Sequence, residues 1–179
     1  PMLVVAGAGS GKTRVLVHRI AWLIQVENVS PLGILAVTFT NKAAAEMRGR
    51  VQELLDMPVN HLWIGTFHGL AHRLLRRHAQ DAGLPEGFQI LDAEDQQRLI
   101  RRLLKNLDLD ENTWVPREVQ WFINHHKDEG VRAAQLKDDG DETRRQLIRL
   151  YGLYQQTCDK GGLVDFAELL LRAFELWKN

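Results

Sequence analysis

The stretch LVVAGAGSGKT, residues 3–13, decides the fold of this sequence. Its apolar start predicts a short β-strand, and its glycines predict a turn into an amphipathic helix from Arg14 to Val26. A strand, a glycine loop and a helix in this order are typical of a phosphate-binding P-loop. Backbone N–H groups of such a loop turn towards phosphate oxygens, and the positive end of the helix dipole adds to the attraction.

The residue types of the loop suggest a role for each position. The Lys12 ammonium would reach the β- and γ-phosphates of ATP, and the Thr13 hydroxyl would hold Mg²⁺. The remaining positions would form the backbone cradle, namely Ala6, Gly7, Ala8, Gly9, Ser10 and Gly11. Ala6 occupies the first position of the motif, where the general pattern has glycine. A glycine-rich turn that binds no ligand is the alternative interpretation.

Composition narrows the class of protein. The chain has 179 residues, and its 23 Lys and Arg balance 23 Asp and Glu, so it lacks an overall basic signature. Residues 1–88 carry 9 basic against 6 acidic side chains, which makes the P-loop half the better candidate for binding a polyanion. A single cysteine, Cys158, excludes an internal disulfide. Since no apolar run reaches membrane-spanning length, we expect a cytoplasmic protein without a membrane partner.

Two further strand-then-helix units follow the loop. Residues 34–39 are strongly β-like and lead into a helix that Thr40 or Asn41 would cap and that ends near Leu55. Residues 62–67 predict a third strand, followed by a helix over 70–82. Repeated units of this kind predict a parallel α/β sheet, whose ligands lie at the carboxyl ends of the strands. Those ends are the glycine loop, residues 38–41 and residues 66–68.

In the second half of the chain, the residue pattern predicts helices only. Helices are expected at about 92–106, 116–127, 142–159 and 165–177, and no strand is expected between residues 87 and 160. Residues 88–92 and 163–165 are candidates for a strand that ends in a magnesium-binding acid. Because Gln89 interrupts the first and the second is too short, we interpret Asp92 and Asp165 as helix caps. The chain therefore predicts phosphate binding without a complete hydrolytic site.

Four segments together resemble superfamily I DNA helicases of the UvrD/Rep/PcrA type. They are AGAGSGKTR (6–14), LAVTFTNKAAAEMR (35–48), GTFHGLAHRLL (65–75) and LVDFAELL (163–170). The resemblance covers essentially the whole chain. It implies a partial RecA-like, P-loop parallel-sheet domain over 1–86, an inserted all-helical subdomain over 87–160, and a helix over 161–179 that returns to the first domain.

The same resemblance implies ATP-driven translocation on single-stranded DNA and unwinding of duplexes with 3′-to-5′ polarity. Lys12 and Thr13 would serve ATP and Mg²⁺, Arg14 would lie near the adenine, and the helical block would lie near duplex DNA at a junction. The expected contacts to single-stranded DNA are Thr38, Phe39, Thr40, Asn41, Gly65, Thr66, Phe67 and His68. The family's adenine-reading glutamine precedes the loop, and its magnesium-binding motif and second RecA-like domain follow residue 179. We therefore expect a catalytically incomplete amino-terminal part of a helicase.

The residue types leave alternatives open. Phe39 and Phe67 could stack on bases or pack as core residues at strand ends. Thr38, Thr40 and Asn41 could donate to DNA phosphates or cap a helix. A stand-alone P-loop nucleotide-binding module, a small kinase and a non-catalytic DNA-binding fragment are the competing functions. A small kinase should also have an arginine cluster in a lid and an acceptor-binding Asp at a strand end, and neither can be identified.

Overall fold

The computed structural model describes residues 3–5, 7 and 9–178. The chain forms two compact units, and the boundary along the sequence lies between Leu70 and Ala71. The first unit holds α1 (Lys12–Gln25), β1 (Leu35–Thr38), α2 (Asn41–Leu55), β2 (Trp63–Thr66) and the start of α3 (Phe67–Arg77). The second unit holds the rest of α3, then β3 (Gln89–Leu91), α4 (Ala93–Asn106), α5 (Pro116–Asp128), α6 (Glu142–Gly161), β4 (Leu163–Asp165) and α7 (Phe166–Lys178).

The first unit is a small parallel sheet packed against helices. β1 and β2 run parallel, with Leu35 opposite Trp63 and Thr38 opposite Thr66. The predicted parallel α/β arrangement is therefore confirmed for these two strand-then-helix units. One apolar cluster joins the sheet to α1 and α2, and its buried members are Val17, Ile20, Ile34, Ala36, Met47, Val51, Val59, Leu62 and Ile64.

The strand predicted ahead of the glycine loop is absent from the described residues. Residues 3–5 have no regular secondary structure, and Leu3 and Val5 are more than four-fifths exposed. A strand needs a neighbour for its backbone hydrogen bonds, and within the described chain β1 pairs with β2 alone. The prediction of a strand at residues 3–5 is therefore wrong for this structure.

Helix α1 is amphipathic, as predicted. Val17, Ile20 and Ala21 are buried, whereas Val15 and Leu16 are exposed. The buried positions still follow the three- and four-residue spacing of an amphipathic helix.

Helix α2 begins and ends close to the predicted residues. Thr40, rather than Asn41, is the cap: its side-chain oxygen accepts a hydrogen bond from the Ala43 N–H at 3.2 Å. The helix ends at Leu55, before Asp56 in the left-handed conformation. A capping threonine of this kind contributes about 1 kcal/mol to stability.

The second unit contains a strand pair that the sequence analysis did not predict. β3 and β4 are parallel, with Gln89 opposite Leu163 and Leu91 opposite Asp165. The expectation that residues 87–160 contain no strand is therefore wrong. Gln89 does not interrupt β3 because its side chain is exposed while its N–H donates to the Gly162 carbonyl at 2.7 Å.

The two acids at the carboxyl ends of these strands, Asp92 after β3 and Asp165 at the end of β4, do cap helices, as predicted. Asp92 accepts a hydrogen bond from the Asp95 N–H at 2.7 Å at the start of α4. Asp165 accepts one from the Glu168 N–H at 2.7 Å at the start of α7. Each carboxylate thus satisfies a backbone donor that a helix amino terminus leaves unpaired.

Two apolar clusters stabilise the second unit. The first joins α4, α5 and α6 and consists of Ile100, Leu104, Val119, Phe122, Ile123, Ala133, Leu150, Tyr151, Tyr154 and Cys158. The second joins the carboxyl-terminal part of α3 to β4 and α7 and consists of Ala71, Leu75, Ala79, Leu84, Phe88, Val164, Leu169 and Ala173. Cys158 of α6 is a buried free cysteine in the first of these clusters. None of the helices in the described part of the chain combines the length and the apolar character of a bilayer span.

Charged side chains are also buried in the second unit. Lys127 Nζ lies 2.6 Å from Asp165 Oδ2 and 2.9 Å from Glu168 Oε2, and all three side chains are at most 4% exposed. Arg132 and Arg172 each contact Glu168 at 2.7 Å. Burial opposes ionisation of Glu168, but Lys127 and the two arginines outweigh it and lower the pKa of Glu168 to about 2.

The glycine that ends α6 gives a test of this packing. Gly162 has a φ of 61°, and a Cβ at this position would lie 2.8 Å from Pro85 Cγ. We expect Gly162→Ala to lower the free energy of unfolding by about 1–3 kcal/mol, because it adds both backbone strain and a clash. Urea denaturation measures this change.

The matched control is Gly152→Ala, inside α6. Its Cβ would lie 3.9 Å from the Ala133 Cβ, which is an ordinary contact. Because alanine is the better helix former, we expect this variant to gain up to about 1 kcal/mol. Equal losses of stability in the two variants would contradict the described geometry.

Candidate functional site

The glycine loop has the backbone geometry that an anion site requires. Gly9 and Gly11 have φ values of 73° and 84°, the left-handed region that favours glycine. Gly11 is the capping residue of α1, and no side chain of the described residues caps this helix. A Cβ on Gly7, Gly9 or Gly11 would meet no described atom within 4 Å. The loop therefore presents the amino terminus of a 14-residue helix on an open surface.

The polar side chains of the loop fold over it. Ser10 Oγ donates to the Gly7 carbonyl at 2.6 Å, and Lys12 Nζ donates to the same carbonyl. Thr13 is half-buried in the first turn of α1, and Arg14 is exposed beside it. Ala6 and Ala8, the other two predicted cradle positions, lie outside the described residues. The described loop residues fit a bound triphosphate, because the Lys12 ammonium, the Thr13 hydroxyl and the amino terminus of α1 lie in one loop.

The carboxyl end of β1 carries one of the predicted DNA segments. Thr38 Oγ1 donates to the Thr40 carbonyl at 3.1 Å, and Thr40 caps α2. Phe39, between them, is 92% exposed, so it is not the core residue that the alternative interpretation made it. Asn41 is exposed in the first turn of α2. Because the Thr40 oxygen is the acceptor in the cap, its own O–H still has a proton to donate.

The carboxyl end of β2 carries the other predicted segment. Thr66 Oγ1 accepts a hydrogen bond from the Gly69 N–H at 3.2 Å in the first turn of α3. Phe67 and His68 are exposed. Gly65 is buried, and a Cβ there would lie 3.0 Å from Leu70 Cγ, so the close packing of β2 against α3 favours glycine.

The β1–β2 register brings these two segments to one edge of the sheet. Thr38 and Thr66 are the last residues of their strands and lie opposite each other. Phe39 and Phe67 directly follow the two strands in the chain. Two exposed aromatic rings and two threonine hydroxyls therefore lie at neighbouring strand ends.

The helices of the first unit relate this edge to the glycine loop. Gln25, the last residue of α1, donates from Nε2 to the carbonyl of Leu54, near the end of α2, at 3.4 Å. The two helices pack together and have 14 and 15 residues. Since their carboxyl ends meet, their amino ends at Gly11 and Thr40 lie towards the same end of the unit.

The structure also shows functional candidates that sequence reasoning missed. Arg48 donates to the Ile64 carbonyl at 2.8 Å and so ties α2 to β2. Its position at the end of the segment 35–48 was a usable signal, because an arginine on a buried helix face needs a partner. The buried Lys127–Asp165–Glu168 cluster was also missed. Acids inside the apolar run 163–171 were the only sign of it.

Comparisons with known proteins identify the family of this chain. The family model of the UvrD/REP helicase N-terminal domain matches residues 1–179. The chain is 61% identical over 178 residues to DNA helicase II of Salmonella typhimurium and of Escherichia coli, in alignments that cover 99% of this chain and 25% of each relative. It is 41% identical over 181 residues to the ATP-dependent DNA helicase PcrA of Leuconostoc citreum, covering 100% of this chain and 24% of the relative.

These matches cover nearly all of this chain but only a small part of each relative. The chain spans about a quarter of the length of the curated relatives that it matches. The family match, in contrast, extends over every residue of the chain. The chain therefore belongs to the UvrD/REP helicase N-terminal domain family.

Proposed function

We propose that this chain is the nucleotide-binding and strand-binding part of an ATP-dependent 3′-to-5′ DNA helicase. The observation that carries the proposal is the shared edge of β1 and β2, where Thr38 lies opposite Thr66 and an exposed phenylalanine follows each of them. A P-loop module or small kinase has no use for a pair of exposed aromatic rings at this edge. The relatives named as DNA helicases support the same assignment.

The glycine loop is the proposed ATP site. Lys12 Nζ, now on the Gly7 carbonyl, is close enough to the loop to exchange that partner for a β- or γ-phosphate oxygen. The N–H groups at the start of α1 would donate to the same phosphates, and Arg14 would lie near the adenine. Mg²⁺ held by Thr13 would neutralise charge on the phosphates.

The proposed DNA site is the edge of β1 and β2. Phe39 and Phe67 offer flat faces on which bases can stack, a contact that tolerates any sequence. Thr38, Thr40, Asn41, Thr66 and His68 would contact the sugar–phosphate backbone. Gly65, which is buried, would support this edge through the close packing of β2 against α3. Capping hydroxyls and helix amino termini are common phosphate donors.

The chain by itself is proposed to bind nucleotide without completing hydrolysis. The acids at the carboxyl ends of β3 and β4 are engaged as helix caps, and Asp165 also contacts Lys127 and the Tyr154 hydroxyl at 2.6 and 2.7 Å. Neither acid is therefore suited to hold a magnesium ion. In the full-length parent we propose that other segments supply that acid and the second half of the ATP site.

Contact with duplex DNA at a junction is proposed for the helical part. One exposed face of α4 carries four basic side chains at three- and four-residue spacing, which are Arg98, Arg101, Arg102 and Lys105. Arg98 pairs with Asp95, and Arg101 lies 3.9 Å from Glu111. Both pairs are exposed and weak, so phosphates could replace the acidic partners.

Substitution of Lys12 tests the nucleotide site. We expect Lys12→Ala to weaken ATP binding about 10- to 100-fold, because a charge-assisted hydrogen bond contributes about 1.5–3 kcal/mol. Titration calorimetry with ATP and Mg²⁺ measures the affinity. Lys160→Ala, an exposed lysine of α6, is the control and should bind ATP like the unaltered chain. Unchanged affinity in Lys12→Ala would rule out this loop as the nucleotide site.

Substitution of Phe39 tests the DNA site. Loss of one stacking ring should weaken binding of a fluorescent oligothymidylate by about 1–3 kcal/mol, roughly 5- to 150-fold. The control Phe174→Ala removes an equally large, 47% exposed ring from α7 and should leave the affinity unchanged. Affinity should also fall steeply as salt rises, since phosphate contacts release counterions. Equal effects of the two substitutions, or binding that salt does not change, would contradict the proposed strand site.

A further inference from the structure

The β3–β4 pair needs something beyond its own backbone to fix its register. Each strand has three residues, and two-stranded sheets of this size are not stable alone. Neighbouring residues of a strand point to opposite faces, so a slip by one residue exchanges the faces of the whole strand. The register is therefore set by what lies on the two faces.

The two faces of β4 differ sharply in chemistry. Val164 is fully buried in the apolar cluster with Leu75, Phe88 and Leu169. Leu163 packs against the other cluster, that of α4, α5 and α6. Asp165 shares the Leu163 face, where it meets Lys127 of α5 and Tyr154 of α6.

Asp165 has all the partners that a buried carboxylate needs. Its Oδ2 accepts from Lys127 Nζ at 2.6 Å and from the Tyr154 hydroxyl at 2.7 Å, and Gln96 Nε2 lies 3.4 Å away. Its Oδ1 accepts from the Glu168 N–H at 2.7 Å. A slip of β4 by one residue would break the contacts with Lys127, Tyr154 and Gln96 and turn the carboxylate towards Leu75 and Phe88.

We infer that the Lys127–Asp165 pair is a register lock, which selects one alignment of β4 and α7 on the helical layer. Buried ion pairs contribute little net stability, because desolvation of two charges offsets their attraction. An alignment that leaves both charges unpaired in an apolar cluster is, in contrast, strongly disfavoured. The pair therefore acts on the choice between alignments more than on the stability of the chosen one.

The other charged residues of the cluster do not depend on Lys127. When Lys127 is removed, Arg132 and Arg172 still balance the negative charge of Glu168. Arg132 and Arg172 are themselves held by Glu175 and Asp159. Among the described residues, only the Lys127–Asp165 contact joins α5 directly to the carboxylate that ends β4.

The double variant Lys127→Met/Asp165→Asn tests the lock in the full chain. Methionine keeps most of the lysine stem, and asparagine keeps the oxygen that caps α7. Hydrogen exchange followed by NMR reports the amide of Gln89, which donates to Gly162 across the strand pair, against the amide of Tyr151 inside α6. We expect the exchange of Gln89 to accelerate at least roughly ten-fold relative to Tyr151, with a second set of β3 and β4 signals.

Two comparisons make the result decisive. The control Asp138→Asn/Arg145→Met removes an exposed ion pair of 2.7 Å from the same unit and should leave the Gln89-to-Tyr151 ratio unchanged. The single variant Asp165→Asn keeps Lys127 paired with Glu168. It can therefore be measured even if the double variant does not fold. We expect the Gln89-to-Tyr151 exchange ratio to rise in this variant as well. A wild-type ratio and a single set of signals in both Asp165 variants would overturn the register lock.

Discussion

The alignment of Thr38 with Thr66 in a parallel ladder is the constraint on which the candidate site depends. Parallel strands end at the same edge, so two segments that lie 28 positions apart in the sequence become neighbours there. The apolar cluster beneath the sheet holds this register, because a slip would expose Ala36 and Ile64. Phe39 and Phe67 remain exposed because the strands end before them, and the hydroxyls of Thr40 and Thr66 are fixed by the helices that they start.

Different interactions stabilise the two units of the chain. The first unit relies on an apolar cluster and on helix caps, and its polar groups lie at the strand ends where a ligand can reach them. The second unit buries polar groups instead, with Gln96 and Gln120 hydrogen-bonded at 2.9 Å and Lys127 enclosed by two carboxylates. Buried polar networks tolerate few alternative packings, because each unmade contact is expensive. The candidate binding edge lies within the first unit, and the buried polar network lies within the second.

The sequence was informative wherever a local rule determined the structure. The start of α2 at one of its two candidate caps, the glycine turn into α1 and the parallel order of β1 and β2 follow from spacing and residue type. It misled where the outcome depended on a distant partner. The pattern of residues 3–5 predicts a strand, but a strand forms only with a neighbouring strand. Residues 89–91 looked too interrupted to form a strand, yet the Gln89 N–H donates to the distant Gly162 carbonyl. The Lys127–Asp165 contact joins residues 38 positions apart, so no local pattern could reveal it.

The central claim is that one edge of the first unit binds a single strand of DNA through both segments at once. Hydrogen exchange of the full chain, measured by mass spectrometry with and without a saturating oligothymidylate, tests it most directly. We expect slower exchange in residues 38–43 and 66–70 together, because one strand lying along the edge covers both helix starts. Slower exchange in only one of the two segments, or at residues 54–58 at the carboxyl end of α2, would contradict the claim.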